Sequence, residues 1–368
     1  MSRGEHFPLP KTIGIVTSPQ HVMNLSQAFL SGKVQTPLLV YVLVPARERK
    51  SHVESLTVGT VNFFTQIFHE TEFIFVSLKR YTWELQVAAL VRKTWSKKNR
   101  CSELYLGLKP SGLWARSFPA VHGERITLLD DGAETLSTDF SNLLNGEPST
   151  SHGKIYDIVC RTIAGRSSNT SKKPHLYTCF PTNNDNGTIV EKHDYSELLA
   201  ELSTLTIEDQ VIDQGTVFID SNFRAIGDSL HSEVLTEIHS QIGFKYYVPH
   251  RRTSREFIRK VANSLSVTPI RPPVPIEIYV SSWLLKGNRV LITPSSLSRT
   301  GPLFGVGSRN LYSVNFLPWL QHHVASGQKT LGADQAIIAM RDEEALINDC
   351  VLDSPDTISL EFVTSTSQ

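Results

Sequence analysis

Four short polar clusters, each behind an apolar run of strand character, hold the residues best suited to chemistry. Asp130-Asp131-Gly132 follows Arg125-Ile126-Thr127-Leu128-Leu129, and Ser221-Asn222 follows Thr216-Val217-Phe218-Ile219. Pro249-His250-Arg251-Arg252 follows Phe244-Lys245-Tyr246-Tyr247-Val248, and Ser295-Ser296 lies in the loop behind Arg289-Val290-Leu291-Ile292. Open α/β sheets bind ligands outside the carboxyl ends of their strands, which is where all four clusters fall. A carboxylate there can take the proton of an attacking hydroxyl. A histidine before a helix start, beside two arginines, can meet a phosphate with a hydrogen bond or a proton. Paired hydroxyls can hold phosphate oxygens. Group transfer from an anionic, phosphate-bearing donor is the chemistry this set suits.

Each cluster also has a plain structural reading. Asp-Gly is a common turn pair, and an acidic pair can bind metal. No His/Cys/Asp/Glu set with ligand spacing accompanies Asp130 and Asp131, so no metal site is expected. His250 is one of 13 histidines and stands out only through its neighbours. Of these, Arg251 is a candidate for an anion, and one or both arginines can instead be solvated or paired with Glu256. His231 and His239 share a helix face without a third ligand, which argues against zinc, and His322-His323 reads as surface. Ser281-Ser282, between apolar residues, reads as part of a helix. There is no GxGxxG, no GxxxxGK[ST] and no GxSxG, which disfavours dinucleotide enzymes, P-loop kinases and elbow hydrolases.

The elements that must position these clusters read as two α/β halves. Strand-like runs at 12–16, 38–43, 73–76, 104–106 and 125–129 alternate with helix-compatible segments at 24–30, 61–68 and 83–95. Residues 145–174 turn to Ser, Asn, Gly, Thr and Lys, a loop or linker. Beyond it, Leu230, Val234, Ile238 and Ile242 mark one apolar helix face. Thr253-Ser254-Arg255-Glu256 fits a capping box ahead of Phe257, Ile258 and Val261. The expected division is an N-terminal domain over 1–185 and a C-terminal domain over 186–368. At 368 residues the chain is long for one core. Lysine and arginine number 36 against 36 acids, so broad nucleic-acid affinity is disfavoured and any basic site must be local. The four cysteines are scattered, as in a reducing compartment. With no signal-peptide core and no apolar stretch of about 20 residues, the expectation is a cytoplasmic protein without a spanning helix. Peripheral contact at the inner face of the membrane stays open.

In order and placement, these motifs resemble those of the bacterial sialyltransferases of GT-B fold, the lipooligosaccharide sialyltransferase and polysialyltransferase group. The acidic pair with glycine is Asp130-Asp131-Gly132, the His-Pro motif corresponds to His250-Arg251, and the Ser-Ser motif to Ser295-Ser296. Ile15 to Asn24 resembles the family's first strand and the loop opening its first helix, and Pro275-Ile276-Glu277 fits as well. Arg251 departs from the pattern, with proline displaced to position 249. The resemblance spans about 12–345 and implies two Rossmann-like domains facing a central cleft. It implies inverting transfer of sialic acid from CMP-sialic acid to a glycan hydroxyl, with no cofactor and no obligatory metal. Asp130 would take the acceptor proton, with Asp131 supporting that loop, and His250 would meet the leaving phosphate. Ser295 and Ser296 would hold its oxygens, with Ser221, Asn222, Arg251 and Glu277 in the nucleotide pocket. Ser18, Gln20 and Asn24 would lie on the acceptor side. Another nucleotide-activated sugar on the same fold, UDP-linked for instance, is the alternative, as is a non-catalytic glycan- or nucleotide-binding relative.

Overall fold

The computed structural model describes residues 10–45, 52–78, 102–107, 125–130, 175–179, 189–204, 213–221, 227–250, 253–293, 310–326, 337–338, 341 and 356–360. Of the residues singled out above, Asp131, Asn222, Arg251, Ser295 and Ser296 lie outside the described residues, as do the 83–95 helix and the 145–174 linker. The chain divides into two compact units, residues 1–201 and 202–368.

In the first unit, seven parallel strands run β3-β2-β1-β4-β5-β6-β7. They are β1 (Thr12–Val16), β2 (Leu38–Pro45), β3 (Thr71–Leu78), β4 (Glu103–Gly107), β5 (Arg125–Leu129), β6 (His175–Thr178) and β7 (Ile189–Lys192). β1 and β4 are buried at every position, as befits parallel strands covered on both faces. Helices α1 (Pro19–Leu30), α2 (His52–Phe64) and α3 (Ser196–Thr204) belong with these strands in chain order.

The second unit repeats the design. Its six parallel strands run β10-β9-β8-β11-β12-β13. These are β8 (Thr216–Ile219), β9 (Tyr246–Val248), β10 (Thr268–Pro269), β11 (Arg289–Ile292), β12 (Leu311–Asn315) and β13 (Asp356–Ser359), with α4 (Gly227–Gln241), α5 (Arg255–Leu265), α6 (Ile276–Leu285) and α7 (Leu317–Ala325) between them. Counted within each unit, both sheets carry the order 3-2-1-4-5-6 of the doubly wound dinucleotide fold, with one strand added in the first. The expected pair of Rossmann-like α/β domains is therefore present. Leu230, Val234, Leu235 and Ile238 of α4 are fully buried against the second core, each contributing about 2 kcal/mol by burial.

Local details depart from the sequence reading in four places. α1 starts at Pro19, not near residue 24, because Ser18 caps it and proline suits the first helical turn. Gln20 and Asn24 are thus helical, not loop residues. The cap of α5 is Ser254, whose Oγ accepts from Phe257 N–H at 3.1 Å. Thr253 is outside the helix, and Glu256 falls one position short of a reciprocal capping box. β7 pairs in parallel with β6, so residues beyond 185 extend the first sheet and the division falls at 201/202. His322 is exposed, but His323 is buried and stacks on Trp319 at 5.0 Å, not surface as its sequence context suggested.

Candidate functional site

A helix that follows a parallel strand begins at the strand's carboxyl end, so that edge of the first sheet gathers the starts of α1 and α3 and the ends of β5, β6 and β7. Asp130, first residue after β5, is 1% exposed. Asn24 Nδ2, on the fully buried face of α1, donates to Asp130 Oδ1 at 3.1 Å and to its backbone carbonyl at 3.0 Å. The N–H of Cys179, just past β6, donates to Asp130 Oδ2 at 3.4 Å. Two donors on different elements thus fix the carboxylate plane. Burial, reinforced by the Asp130 charge, pushes the Cys179 thiol well above its ordinary value.

Tyr195, between β7 and α3, donates its hydroxyl proton to Asn24 Oδ1 and accepts from Gln20 Nε2 at 2.6 Å. It is 1% exposed and has a φ of 60°, the left-handed region, which costs a non-glycine residue about 1–2 kcal/mol. His193 stacks on Tyr177 at 4.4 Å and meets Tyr195 edge-on at the same separation. Desolvation lowers the His193 imidazole to about 3, so it is neutral. Of the acceptor-side residues expected from sequence, Asn24 meets Asp130, Gln20 meets Tyr195, and Ser18 Oγ accepts from His21 N–H at 3.4 Å.

The switch point of this sheet lies between β1 and β4. There the His21 imidazole fills the space, fully buried, with Nδ1 accepting from Thr17 N–H at 3.3 Å. Gly107 ends β4 against this ring. A Cβ at Gly107 would stand 2.8 Å from His21 Cβ and closer still to Cγ and Nδ1. The opposite, amino-terminal edge carries ion pairs. Glu191 meets Arg125, Lys33 Nζ at 3.2 Å and His175 Nδ1 at 2.8 Å. Burial would raise Glu191, but these partners outweigh it and hold the carboxyl below its ordinary value. That cluster stitches strand starts together and lies on the wrong edge for a ligand.

The second sheet has its switch point between β8 and β11. Ser221, after β8, and Thr293, after β11, bring their hydroxyl oxygens to 2.5 Å there. Behind them, Asp220 accepts from Tyr247 OH at 2.5 Å and from Ser221 N–H at 2.8 Å, and its Oδ2 lies 3.0 Å from His231 Nε2. Burial first, then Asp220, pushes the Tyr247 phenol far up. His231 stacks on Phe257 at 4.7 Å, so it serves the core and holds Asp220. One strand over, His250 follows β9 half-buried, and its carbonyl accepts from Thr253 N–H at 2.9 Å. Asp220 N–H to Val248 carbonyl, 2.9 Å, ties the ends of β8 and β9 together. Glu277 occupies the first turn of α6, half-buried, at the same carboxyl edge.

Of the residues placed at these edges, sequence reading named Asp130, Asn24, Ser221 and His250 as candidates and did not name Tyr195, Asp220, Thr293 and His21. For Asp220 and Thr293 a signal existed, since each is the first residue after a buried strand. Among the described residues, no three His, Cys, Asp or Glu side chains are grouped to hold a metal ion. Nor is any described helix long and apolar enough to cross a membrane.

No protein-family model matches the chain, and no curated protein matches it. Among solved structures it is similar to the E. coli heptosyltransferase WaaC with ADP-2-deoxy-2-fluoro heptose. That match has 11% identity and a TM-score of 0.37, over 83% of this chain and 88% of that one. It is also similar to a glycosyl transferase family 9 protein from Veillonella parvula, at 11% identity and a TM-score of 0.36, over 94% of this chain and 99% of that one.

Proposed function

We propose that the chain is an inverting GT-B-type glycosyltransferase that moves a sugar from a nucleotide-activated donor to a glycan hydroxyl without an obligatory metal. The observation that carries this reading is the hydroxyl pair Ser221–Thr293 at the switch point of the second sheet, one strand from His250. Small donors beside a strand-end histidine suit a phosphate, the leaving half of an activated sugar. His250 hydrogen-bonds or protonates that phosphate as the glycosidic C–O bond breaks. Ser295, Ser296 and Arg251 hold its oxygens, while Asn222 and Glu277 complete the nucleotide pocket. In the first unit Asp130 takes the acceptor proton, its carboxylate pre-aligned by Asn24 and the Cys179 N–H. Asp131 supports the same turn. Ser18 anchors the start of α1 on the acceptor side, with Gln20 and Asn24 behind it.

The order of the acidic, histidine and serine motifs supports CMP-sialic acid as the donor, while the strand-end chemistry fits other nucleotide sugars equally. Incubating the protein with CMP-sialic acid, UDP-sugars or an ADP-activated heptose, each with a glycan acceptor panel, tests the reading directly. Nucleotide release with product formation from one donor, retained in EDTA, is the expected outcome. Release from a UDP- or ADP-sugar alone replaces sialic acid and keeps the mechanism. Nucleotide binding without turnover from any donor moves the chain to the non-catalytic class. Loss in EDTA restored by a divalent ion turns Asp130 and Asp131 from base and support into ligands.

A further inference from the structure

The proposed base ends a hydrogen-bond chain whose polarity follows from one fact. An ionised carboxylate and a backbone carbonyl only accept, so the Asn24 atom facing both Asp130 oxygens is the amide nitrogen. Asn24 Oδ1 then faces Tyr195, and the phenol must be its donor. Having given its proton to Asn24, the Tyr195 oxygen can only accept from Gln20, whose Nε2 lies 2.6 Å away. Each orientation in the chain is forced by the one before it.

We propose that Tyr195 is a positioning residue for the transfer reaction, acting through Asn24 to hold Asp130 ionised and in one orientation. This rests on the reading of Asp130 as base. An independent observation points the same way: Tyr195 is held in the left-handed region, at φ 60°. A non-glycine residue stays there only where its surroundings over-determine it, and such residues cluster at functional sites. The surroundings here do so. The Tyr195 carbonyl accepts from Leu199 N–H at 2.8 Å, and Gln27 Oε1 accepts from Leu198 N–H at 2.9 Å, docking the start of α3 onto α1. His193 closes the ring's edge at 4.4 Å. Without the phenol donor, the Asn24 amide is free to turn over and present Oδ1 to Asp130. Facing lone pairs would then favour the protonated acid.

The titratable neighbours do not substitute for this control. Cys179, from the β6 end, is held as a thiol by burial and the Asp130 charge, which outweigh its hydrogen bond with Tyr195, and His193, after β7, is neutral. Asp194 and Glu197, charged groups flanking Tyr195, act on His193. From α1, Gln20 and Asn24 are uncharged, and His21 spends its Nδ1 on Thr17.

The test uses the full chain carrying Tyr195→Phe, with Asn24→Ala as a second variant and Tyr247→Phe as a control in the other unit. The Asp130 carboxyl carbon, assigned with Asp130→Asn, is titrated by NMR. In Tyr195→Phe its midpoint should rise by about one pH unit, and in Asn24→Ala at least as far. The acid limb of the kcat profile should move by the same amount, with kcat at pH 7 down about 10-fold and donor KM unchanged. An Asp130 titration unmoved in folded Tyr195→Phe and Asn24→Ala overturns the proposal. So does an equal shift in Tyr247→Phe, which would mean general loosening. If the wild-type protein transfers no sugar, the reading of Asp130 as base fails, while the titration still decides whether Tyr195 governs that carboxylate.

Discussion

The two sheets share one strand order, yet their carboxyl edges are furnished in opposite ways. In the first unit the switch point is closed by the His21 ring packed on Gly107, and the aspartate stands two strands along, at the end of β5. In the second, the described residues at the switch point include the hydroxyls of Ser221 and Thr293, and an aspartate lies directly behind them. The partners differ too. Asp130 accepts from the uncharged N–H donors of Asn24 and Cys179. Asp220 is tied to a phenol, an imidazole and its own loop, as a structural carboxylate would be. In the proposed function, the shared topology sets where a ligand binds, and the first residues past each strand divide the chemistry between the units.

Exchanging charge for shape at the two aspartates should separate those roles most sharply. Asp130→Asn removes proton affinity at nearly constant volume, and turnover should fall about 100-fold or more with little change in nucleotide affinity. Asp220→Asn should instead reduce stability by about 1–3 kcal/mol, because buried Tyr247 and His231 lose a charged acceptor. Turnover per folded molecule should change far less. Steady-state kinetics beside urea unfolding reads both. Normal turnover in Asp130→Asn with an inactive Asp131→Asn would hand the base role to Asp131, and normal turnover in both would end it.

Legibility followed sequence distance. β1 and β5 match their expected spans of 12–16 and 125–129, since a short apolar run between polar breaks identifies itself. Asp130 and Ser221 were legible for the same reason: the end of such a run marks a sheet edge. Tyr195 was not, because its place depends on β7 joining the first sheet, a parallel pairing that leaves no local trace in four residues of mixed exposure. The expected boundary at 185 even set Tyr195 in the other domain. The start of α1 was misplaced although Ser18-Pro19 is a recognisable cap and first turn. There the polar residues Gln20, His21 and Asn24 hid a helix buried on nearly all sides, in which His21, Asn24 and Gln27 lie buried beside Val22, Met23, Leu25 and Phe29.

The switch points offer the next contrast. Gly107→Ala drives a methyl into an imidazole anchored by Thr17, so the ring cannot simply swing aside. The first unit should lose about 1–3 kcal/mol, by the cost of overpacking, with nucleotide affinity intact. Thr293→Val keeps volume and removes the hydroxyl partner of Ser221. Its stability should change by about 1 kcal/mol, while nucleotide affinity falls about 10-fold. Calorimetric titration with CMP, UDP and ADP beside thermal unfolding checks the pair. Equal nucleotide loss in both variants would erase the assignment of the donor to the second unit.

The smallest expected effect concerns His193, the neutral imidazole at the edge of the Asp130 network, and it appears only in acid. Its folded-state value is about 3 against an ordinary 6.5, with desolvation the leading cause and Asp194 and Glu197 only partly opposing it. Above pH 6.5 neither folded nor unfolded chain holds this proton, so His193 makes stability no more pH-dependent there. Between 6.5 and 3 the unfolded chain binds the proton and the folded chain does not, so stability falls with pH, by up to about 1.4 kcal/mol per unit. His193→Phe preserves the stack on Tyr177 and deletes the titration. Urea midpoints for that variant should match wild type within about 1 kcal/mol at pH 7 and decline less steeply from pH 6.5 to 4.5. Parallel acid slopes in wild type and His193→Phe would show that His193 meets its proton in the folded state as readily as in the unfolded one.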